Sequence, residues 1–427
     1  MPLSPDFRRL WTAQSISFFG SQVTELALPL TALVVLNASP TEMGVLVALE
    51  NLPMACIGLV AGVWVDRMRR RPWLIACDFG RGSLLAAVPI AAALDALTFP
   101  LLCAVAFGAG SLNVCAAVAD RAYLPSLVAR EELIAANSRV QFSASVARTS
   151  GPGIAGLLVD LLTAPIALAV DALSFFVAGI FLLRIRQPEE KPTVVTRHVG
   201  REIIDGLRHV LRHPTLRPLV LCGGMHNLSS QMIVPLYVLY LTREFGVSPL
   251  LLGGILLTGG LGSIVGASAS TRITVRWGVG RTLVFSQLLT GVARLAIPIA
   301  FGPQPWVLGW FIFSEFLLGA MRPIFNVTQI SLRQAITAPE MQGRVAATIG
   351  FLLWGFSPIG ALAGGFLGDR IGLRPTLAIA ASGVLLSTGW VLFSQLGKVR
   401  EVVPEATEHP TPASSTERTP GDDARRR

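Results

Sequence analysis

Gly62-Val-Trp-Val-Asp66-Arg67-Met-Arg69-Arg70-Arg71 stands between two long apolar runs, 43–65 and 72–94. Four arginines and an aspartate in so short a stretch do not enter hydrocarbon, whereas each flanking run has the ~20 apolar residues that a helix needs to cross a bilayer. The same alternation continues outward in both directions. Apolar runs occupy 10–36, 43–65, 72–94, 99–121, 140–162, 165–186, 218–241, 249–271, 281–302, 305–329, 344–368 and 373–396. With 52% hydrophobic residues against 14% charged ones, the chain reads as mostly membrane-embedded, and its 41 glycines suit helices that approach closely in lipid. The expected fold is all-α and integral to the membrane, with twelve transmembrane helices.

Charge sorts to one side of these runs. Arg8 and Arg9 precede the first; Arg67, Arg69, Arg70 and Arg71 follow the second; Arg130 and Arg139 follow the fourth. The sixth connection carries eight basic residues between Arg184 and Arg217, and Arg272, Arg276, Arg281, Arg333 and Arg400 continue the pattern. The alternate loops are short and nearly uncharged apart from Asp369, Arg370 and Arg374. By the positive-inside rule the arginine side is cytoplasmic, and so are both termini. The net charge of +9 is therefore read as orientation in a cell membrane, with lipids as neighbours, and not as a nucleic-acid surface. Met1–Arg9 has the charge of a secretory leader, but the run behind it is too long, contains Glu25 and lacks a small-residue cleavage site, so it is read as a retained span. Cys56, Cys77, Cys103, Cys115 and Cys222 lie inside apolar runs with no pairing or ligand spacing, and the histidines form no metal motif. No metal and no cofactor are expected, and the absence of a phosphate-binding loop points to an ion gradient as energy source.

The only long internal connection divides the chain into residues 1–186, a linker at 187–217, residues 218–397 and a polar tail at 398–427 expected to be disordered. Within the linker Ile203, Leu207, Val210 and Leu211 recur at helical spacing, which suggests an amphipathic helix on the inner leaflet or, alternatively, a solvated connection. The halves echo one another: Pro29 recurs as Pro235 and Pro152 as Pro358, each 206 positions on, and Pro89 recurs as Pro298, 209 on. A finer echo joins runs 2–3, 5–6, 8–9 and 11–12 through GVWVDRMRRRPWL (62–74), GLLVDLLTAPIAL (156–168), STRITVRWGVGRTL (270–283) and GFLGDRIGLRPTL (365–377). Three-helix units in opposite orientation, nested in two six-helix halves, are the architecture of secondary transporters.

The 62–71 stretch resembles the loop between spans 2 and 3 of the major facilitator superfamily, with Arg69 where a second glycine is usual, as in the branch similar to macrolide and enterobactin exporters. The resemblance covers all twelve runs. It implies that Gly62, Asp66, Arg67, Arg70 and Arg71, together with Asp78 and Arg81, latch the two halves in the outward-facing state. Ser150-Gly151-Pro152-Gly-Ile-Ala155-Gly156 resembles the exporters' span-5 element, which goes with export in exchange for protons. Pro152 bends its helix and the glycines admit a close neighbour. The arginine that such antiporters often carry near the start of span 4 is missing, because 99–113 contains no charge.

Ionisable groups inside spans are costly and mark pathways. Glu25 lies near the middle of run 1, on a face with Gln14 and Ser21 and beside Gln22. At an offset of 206 its mate is Gln231, polar but uncharged, so Glu25 is the expected proton-coupling carboxyl, with a structural hydrogen-bonded role as the alternative. Run 10 carries Glu315, Arg322, Asn326 and Gln329 as one stripe, which lines a cavity or forms an internal Glu–Arg pair. His226, Asn227 and Gln231 on run 7 and Asn113 on run 4 complete the candidate substrate cavity. Arg148, Asp120 and Arg121 join Asp66, Asp78 and Arg81 as an inner gate network, and Glu50 has no assigned role. The expected function is proton-driven export of a small organic molecule such as an antibiotic, natural product or siderophore, by a monomer. An uptake symporter is the near alternative, an intramembrane enzyme the remote one.

Overall fold

The computed structural model describes residues 4–58, 68–189, 207–208 and 210–398. Gly62, Asp66, Arg67, most of the linker helix and the tail lie outside the described residues. The described residues hold twelve long helices. In the first half these are α1 Pro5–Val34, α2 Pro40–Cys56, α3 Arg70–Ala93, α4 Phe99–Leu127, α5 Leu133–Leu162 and α6 Ala164–Leu183. In the second they are α7 Leu216–Phe245, α8 Pro249–Trp277, α9 Val279–Ile299, α10 Gln304–Ala335, α11 Pro339–Ile371 and α12 Leu373–Leu392. Eight of the twelve are long and apolar enough to cross a membrane by length and composition alone. The others include α1, with its internal Glu25, and α2, whose described part is 17 residues.

The end of the molecule that carries Arg8, Arg70, Arg130 and Arg333 is called here the basic end, the opposite one the far end. On the basic side the helices outrun the apolar windows: α4 continues past Arg121 to Leu127, and α5 starts at Leu133, ahead of Arg139. Charge ends the hydropathic signal there without ending the backbone ladder.

Within the first half α1 packs on α5 and α6, α3 on α4 and α6, and α2 on α4; the second half repeats this as α7 on α11 and α12, α9 on α10 and α12, and α8 on α10. The halves meet chiefly through two equivalent pairs, α2 with α11 and α5 with α8, with α7 also touching α1 and α2. Close approaches fix the two-fold register. A Cβ on Gly44 would meet the carbonyl of Ala361 at 2.6 Å, and one on Gly156 would meet that of Pro249 at 2.5 Å. Gly44 and Gly365 face each other as Gly253 and Gly156 do, and Gly110 faces Glu50 as Gly319 faces Gly259. Every one of these equivalences runs at 209 positions, so the offset of 206 read from Pro29 and Pro152 is corrected by nearly one helical turn. The mate of Gln231 is Gln22, and Glu25 pairs with Val234.

The junction echo is visible in the backbone. Thr163, Gly278 and Gly372, which link α5–α6, α8–α9 and α11–α12, take φ/ψ of 83/155°, 81/160° and 89/163°. This region is comfortable only for glycine, and Thr163 holds it with a β-branched side chain. Thr163→Gly should therefore raise stability by about 1 kcal/mol after the entropic cost of glycine, read as a higher unfolding midpoint in detergent; an unchanged or lower midpoint speaks against strain there.

One apolar core draws on both halves at the far end, including Leu30, Leu33, Tyr237, Tyr240 and Phe311. Toward the basic end the core splits. Phe7, Leu10, Tyr123 and their neighbours belong to the first half alone, and Leu219, Leu283 and Val391 to the second alone. Val210 of the linker is buried against Leu216, Val220, Val345 and Ile349, so the end of that segment docks on α7 and α11.

Candidate functional site

Polar cross-links hold the far end shut. Arg243, in the last turn of α7, donates to the carbonyl of Ala38 at 2.9 Å and to that of Asn37 at 3.4 Å. The backbone N–H of Thr41 donates to Asp369 Oδ2 at 2.9 Å, again across the halves. Arg374 donates to Tyr240 Oη at 3.1 Å and to the carbonyl of Ala300. Of the three charges that break the neutrality of the far-end loops, two are thus structural ties.

Between the halves, on the side where no core is shared, polar side chains at mid-helix remain exposed: Glu25 on α1, Asn113 on α4, and Arg322 and Asn326 on α10. Such residues do not face lipid without a large cost, and the core that joins the halves at the far end is split toward the basic end. Gln22 Nε2 donates to Glu25 Oε2 at 3.0 Å. No ion pair joins Glu25 to Arg322 among the described residues. Asn113 and Arg322 are two-fold mates at the 209 offset, so one half carries an amide where the other carries a guanidinium.

The span-5 element packs behind α1. Gly151 lies directly against Gln22, with a Cβ there only 2.6 Å from Gln22 Cβ, and its mate Gly360 lies against Gln231 in the same manner. Beyond it, the carbonyl of Pro152 sits against Gly253 and Gly156 sits against Pro249, both of α8. Gly151 therefore serves the packing of the first half and Gly156 the contact between halves.

Several other expected cavity residues are drawn into bonds between helices. Gln231 donates to Ser357 Oγ and Asn227 to the carbonyl of Leu353, tying α7 to α11. His226 Nδ1 contacts Gln287 Nε2 at 2.8 Å, and Gln287 Nε2 reaches Ser387 Oγ at 2.8 Å. Glu315 does not pair with Arg322 of its own helix; Arg294 of α9 lies 3.9 Å away and takes that place. Arg294 escaped notice in the sequence although it lies well inside run 9.

The loop expected to act as a latch is, in its described part, tied within the first half. Glu189 accepts from the backbone N–H of Arg70 at 2.6 Å and of Arg71 at 3.1 Å, capping the positive end of α3. Arg71 in turn donates to the carbonyls of Leu182 and Leu183 at 3.1 and 2.8 Å, satisfying the end of α6. Asp78 and Arg81 are remote from this cap. They sit inside the bundle, where Arg81 stacks 3.8 Å above the ring of Phe175 and donates to Ser21 Oγ at 3.2 Å. Arg121 and Arg148 are exposed.

Two six-helix halves related by one offset, sharing a core at one end and parted at the other, have the architecture of secondary transporters. Residues 1–419 match the transmembrane secretion effector family of the major facilitator superfamily. The chain belongs to that family. It is 27% identical over 393 residues to the multidrug efflux pump Tap of Mycolicibacterium fortuitum, covering 88% of this chain and 93% of that protein. It is 24% identical over 419 residues to macrolide efflux protein A of Streptococcus pyogenes, covering 93% of this chain and 97% of that one. A bacterial homologue of the iron transporter ferroportin, solved in an inward-facing state, superposes with a TM-score of 0.75 at 17% identity, covering 92% of this chain and 99% of that one. As a major facilitator protein it is a multi-pass membrane transporter and not an enzyme, and its substrate is a small molecule.

Proposed function

We propose that this transporter exports a small, partly apolar organic compound from the cytoplasm in exchange for protons, with Glu25 as the cavity carboxyl for which substrate and proton compete. The observation that carries it is Glu25 itself: midway along α1, exposed, held by the neutral Gln22 and, among the described residues, without a contact cation. A carboxyl that is alternately wetted and enclosed as the halves rock takes up and releases a proton without a cofactor. One proton crossing 100 mV supplies ~2.3 kcal/mol, enough for a useful gradient. Export is supported by the names of the efflux relatives and by the Gly151-Pro152-Gly156 element, uptake by neither. The basic end faces the cytoplasm of the cell membrane, so the described conformation opens inward. The chain works as a monomer surrounded by lipid, since both halves of the path lie in one polypeptide.

The decisive test is accumulation of candidate compounds, macrolides first, in efflux-deficient cells with and without a protonophore. Expression should lower accumulation, and the protonophore should abolish the difference. Accumulation that rises on expression and falls with the protonophore would instead establish uptake.

The far-end ties give a second prediction. Arg243→Ala combined with Asp369→Ala removes three hydrogen bonds that exist only when the far end is shut. At about 1 kcal/mol each, the loss shifts the population toward the outward-open state by roughly a hundredfold. Cysteines placed in the cavity should then react faster with an impermeant thiol reagent added outside; an unchanged rate contradicts a locking role.

A further inference from the structure

A second cluster of ionisable groups, apart from the cavity, lies inside the first half. Asp78 and Arg81 stand one turn apart on α3, next to Cys77, and Arg81 reaches Ser21 of α1 and the ring of Phe175, which is one turn from Asp171 on α6; Asp120 of α4 is a further carboxyl of this half. Asp171 is wholly buried and receives the hydroxyls of Thr24 and, at 2.8 Å, Ser174. Gly20 makes room for it, because a Cβ there would overlap Asp171 Oδ1 and Ser174 Oγ. Gln14 of α1 is buried, and its Oε1 has no donor among the described residues.

Asp78 is only 8% exposed, and no hydrogen-bond donor among the described residues reaches it. Asp78 and Asp171 are buried, Asp120 and Arg81 are partly buried, and among the described residues no carboxyl comes within ion-pair reach of Arg81. Two buried carboxylates beside a cation that pairs with neither are costly to keep both charged, which favours a proton on the one without donors. Asp171 has two hydroxyl donors suited to a carboxylate; Asp78 has none among the described residues.

The second half argues the same point by contrast. At the 209 offset Asp78, Arg81, Asp120 and Asp171 become Gln287, Thr290, Gln329 and Ala380. The equivalent space in the second half is filled by neutral hydrogen bonds among His226, Gln287 and Ser387. Packing alone does not require charge at these positions.

We propose that Asp78 is a proton-carrying carboxyl in a pocket enclosed within the first half, distinct from the cavity lined by Glu25, with Arg81, Asp120 and Asp171 as the charges around it. Proton uptake adds a hydrogen to one Asp78 oxygen, converts an unbonded acceptor into a donor and lowers the buried negative charge by one; release returns the hydrogen to water. The pocket and the cavity share one turn of α1. Ser21 and Thr24 face Arg81 and Asp171, while Gln22 and Glu25 face the cavity. A change of charge in the pocket therefore shifts the helix that carries the cavity carboxyl. That use in transport rests on the proton-driven function proposed above, whereas the proton site itself does not.

The test is infrared difference spectroscopy of the purified full chain in lipid nanodiscs as pH is raised, following the C=O stretch of protonated carboxylic acids. Wild type should lose a buried carboxyl band on alkalinisation. Asp78→Asn, which places an amide where the other half already has one, should lack that band; Glu25→Gln should retain it. Thr24→Val, which strips a donor from Asp171 and leaves every carboxyl in place, should displace the pH of its disappearance by about one unit. An Asp78→Asn spectrum with the wild-type band overturns the proposal, as does a Thr24→Val titration identical to wild type should Asp78→Asn fail to fold. Export that proves independent of a pH gradient, with the band behaving as described, overturns the proposed coupling and leaves the proton site standing.

Discussion

Gly156→Val should cripple transport by keeping the far end from closing. A Cβ at this position already meets the Pro249 carbonyl at 2.5 Å and Gly253 Cα at 2.9 Å, both backbone atoms of the opposite half. Neither can move unless α5 and α8 separate. Overpacking of this kind costs about 1–3 kcal/mol, and here the cost falls on the closed state alone. The equilibrium should move toward the open state by roughly ten- to hundredfold. Gly365→Val, the two-fold mate at the α2–α11 contact, should do the same. Gly254→Val is the internal control, because nothing lies within 4 Å of a Cβ there. Spin-label distances between the far ends of α5 and α8 should lengthen in the first two variants and not in the third. Equal distances in all three would show that these glycines do not set the closure.

Glu25→Gln should uncouple the protein. Glutamine preserves length and the contact with Gln22 but cannot titrate, so insertion, folding and binding of an uncharged substrate should survive. What disappears is the driving force. A proton at 100 mV supports a concentration ratio of about fiftyfold, and the variant should let that ratio fall to one while still exchanging substrate across the membrane. If Glu25→Gln pumps uphill as before, Glu315 is the next carboxyl to test, though its pairing with Arg294 makes it a weaker candidate.

The architecture was legible because a bilayer imposes one length on every span, and twelve repeats of that length leave few alternatives. Register was harder. Pro29 and Pro235 look equivalent in sequence, yet the cross-helix glycine contacts place the halves three residues further apart. The informative residues were Gly44, Gly110, Gly156 and their mates, and among 41 glycines nothing local distinguishes a packing contact from an open position such as Gly254. Glu25, Arg322, Asn113 and Asn326 could be picked out because a polar side chain amid apolar neighbours is conspicuous. Whether such a residue faces a cavity or another helix is not written locally, which is why Asn227, Gln231 and His226 turned out to bond across helices. Asp171 and Arg294 carried the same signal and were passed over. Glu189 carried none, since a carboxylate in a polar connection looks like any solvated charge until the N-terminus of α3 is placed beside it.

The measurement that bears most directly on proton-driven export through Glu25 is transport in proteoliposomes of the purified protein under an imposed pH gradient. A radiolabelled macrolide, the cargo class named for one relative, is the first probe, followed by any compound whose cellular accumulation the protein lowers. Wild type should accumulate the probe uphill only while the gradient lasts, and Glu25→Gln should equilibrate it without accumulation. Uphill transport by Glu25→Gln at the wild-type level, or wild-type transport indifferent to the gradient, would contradict the account.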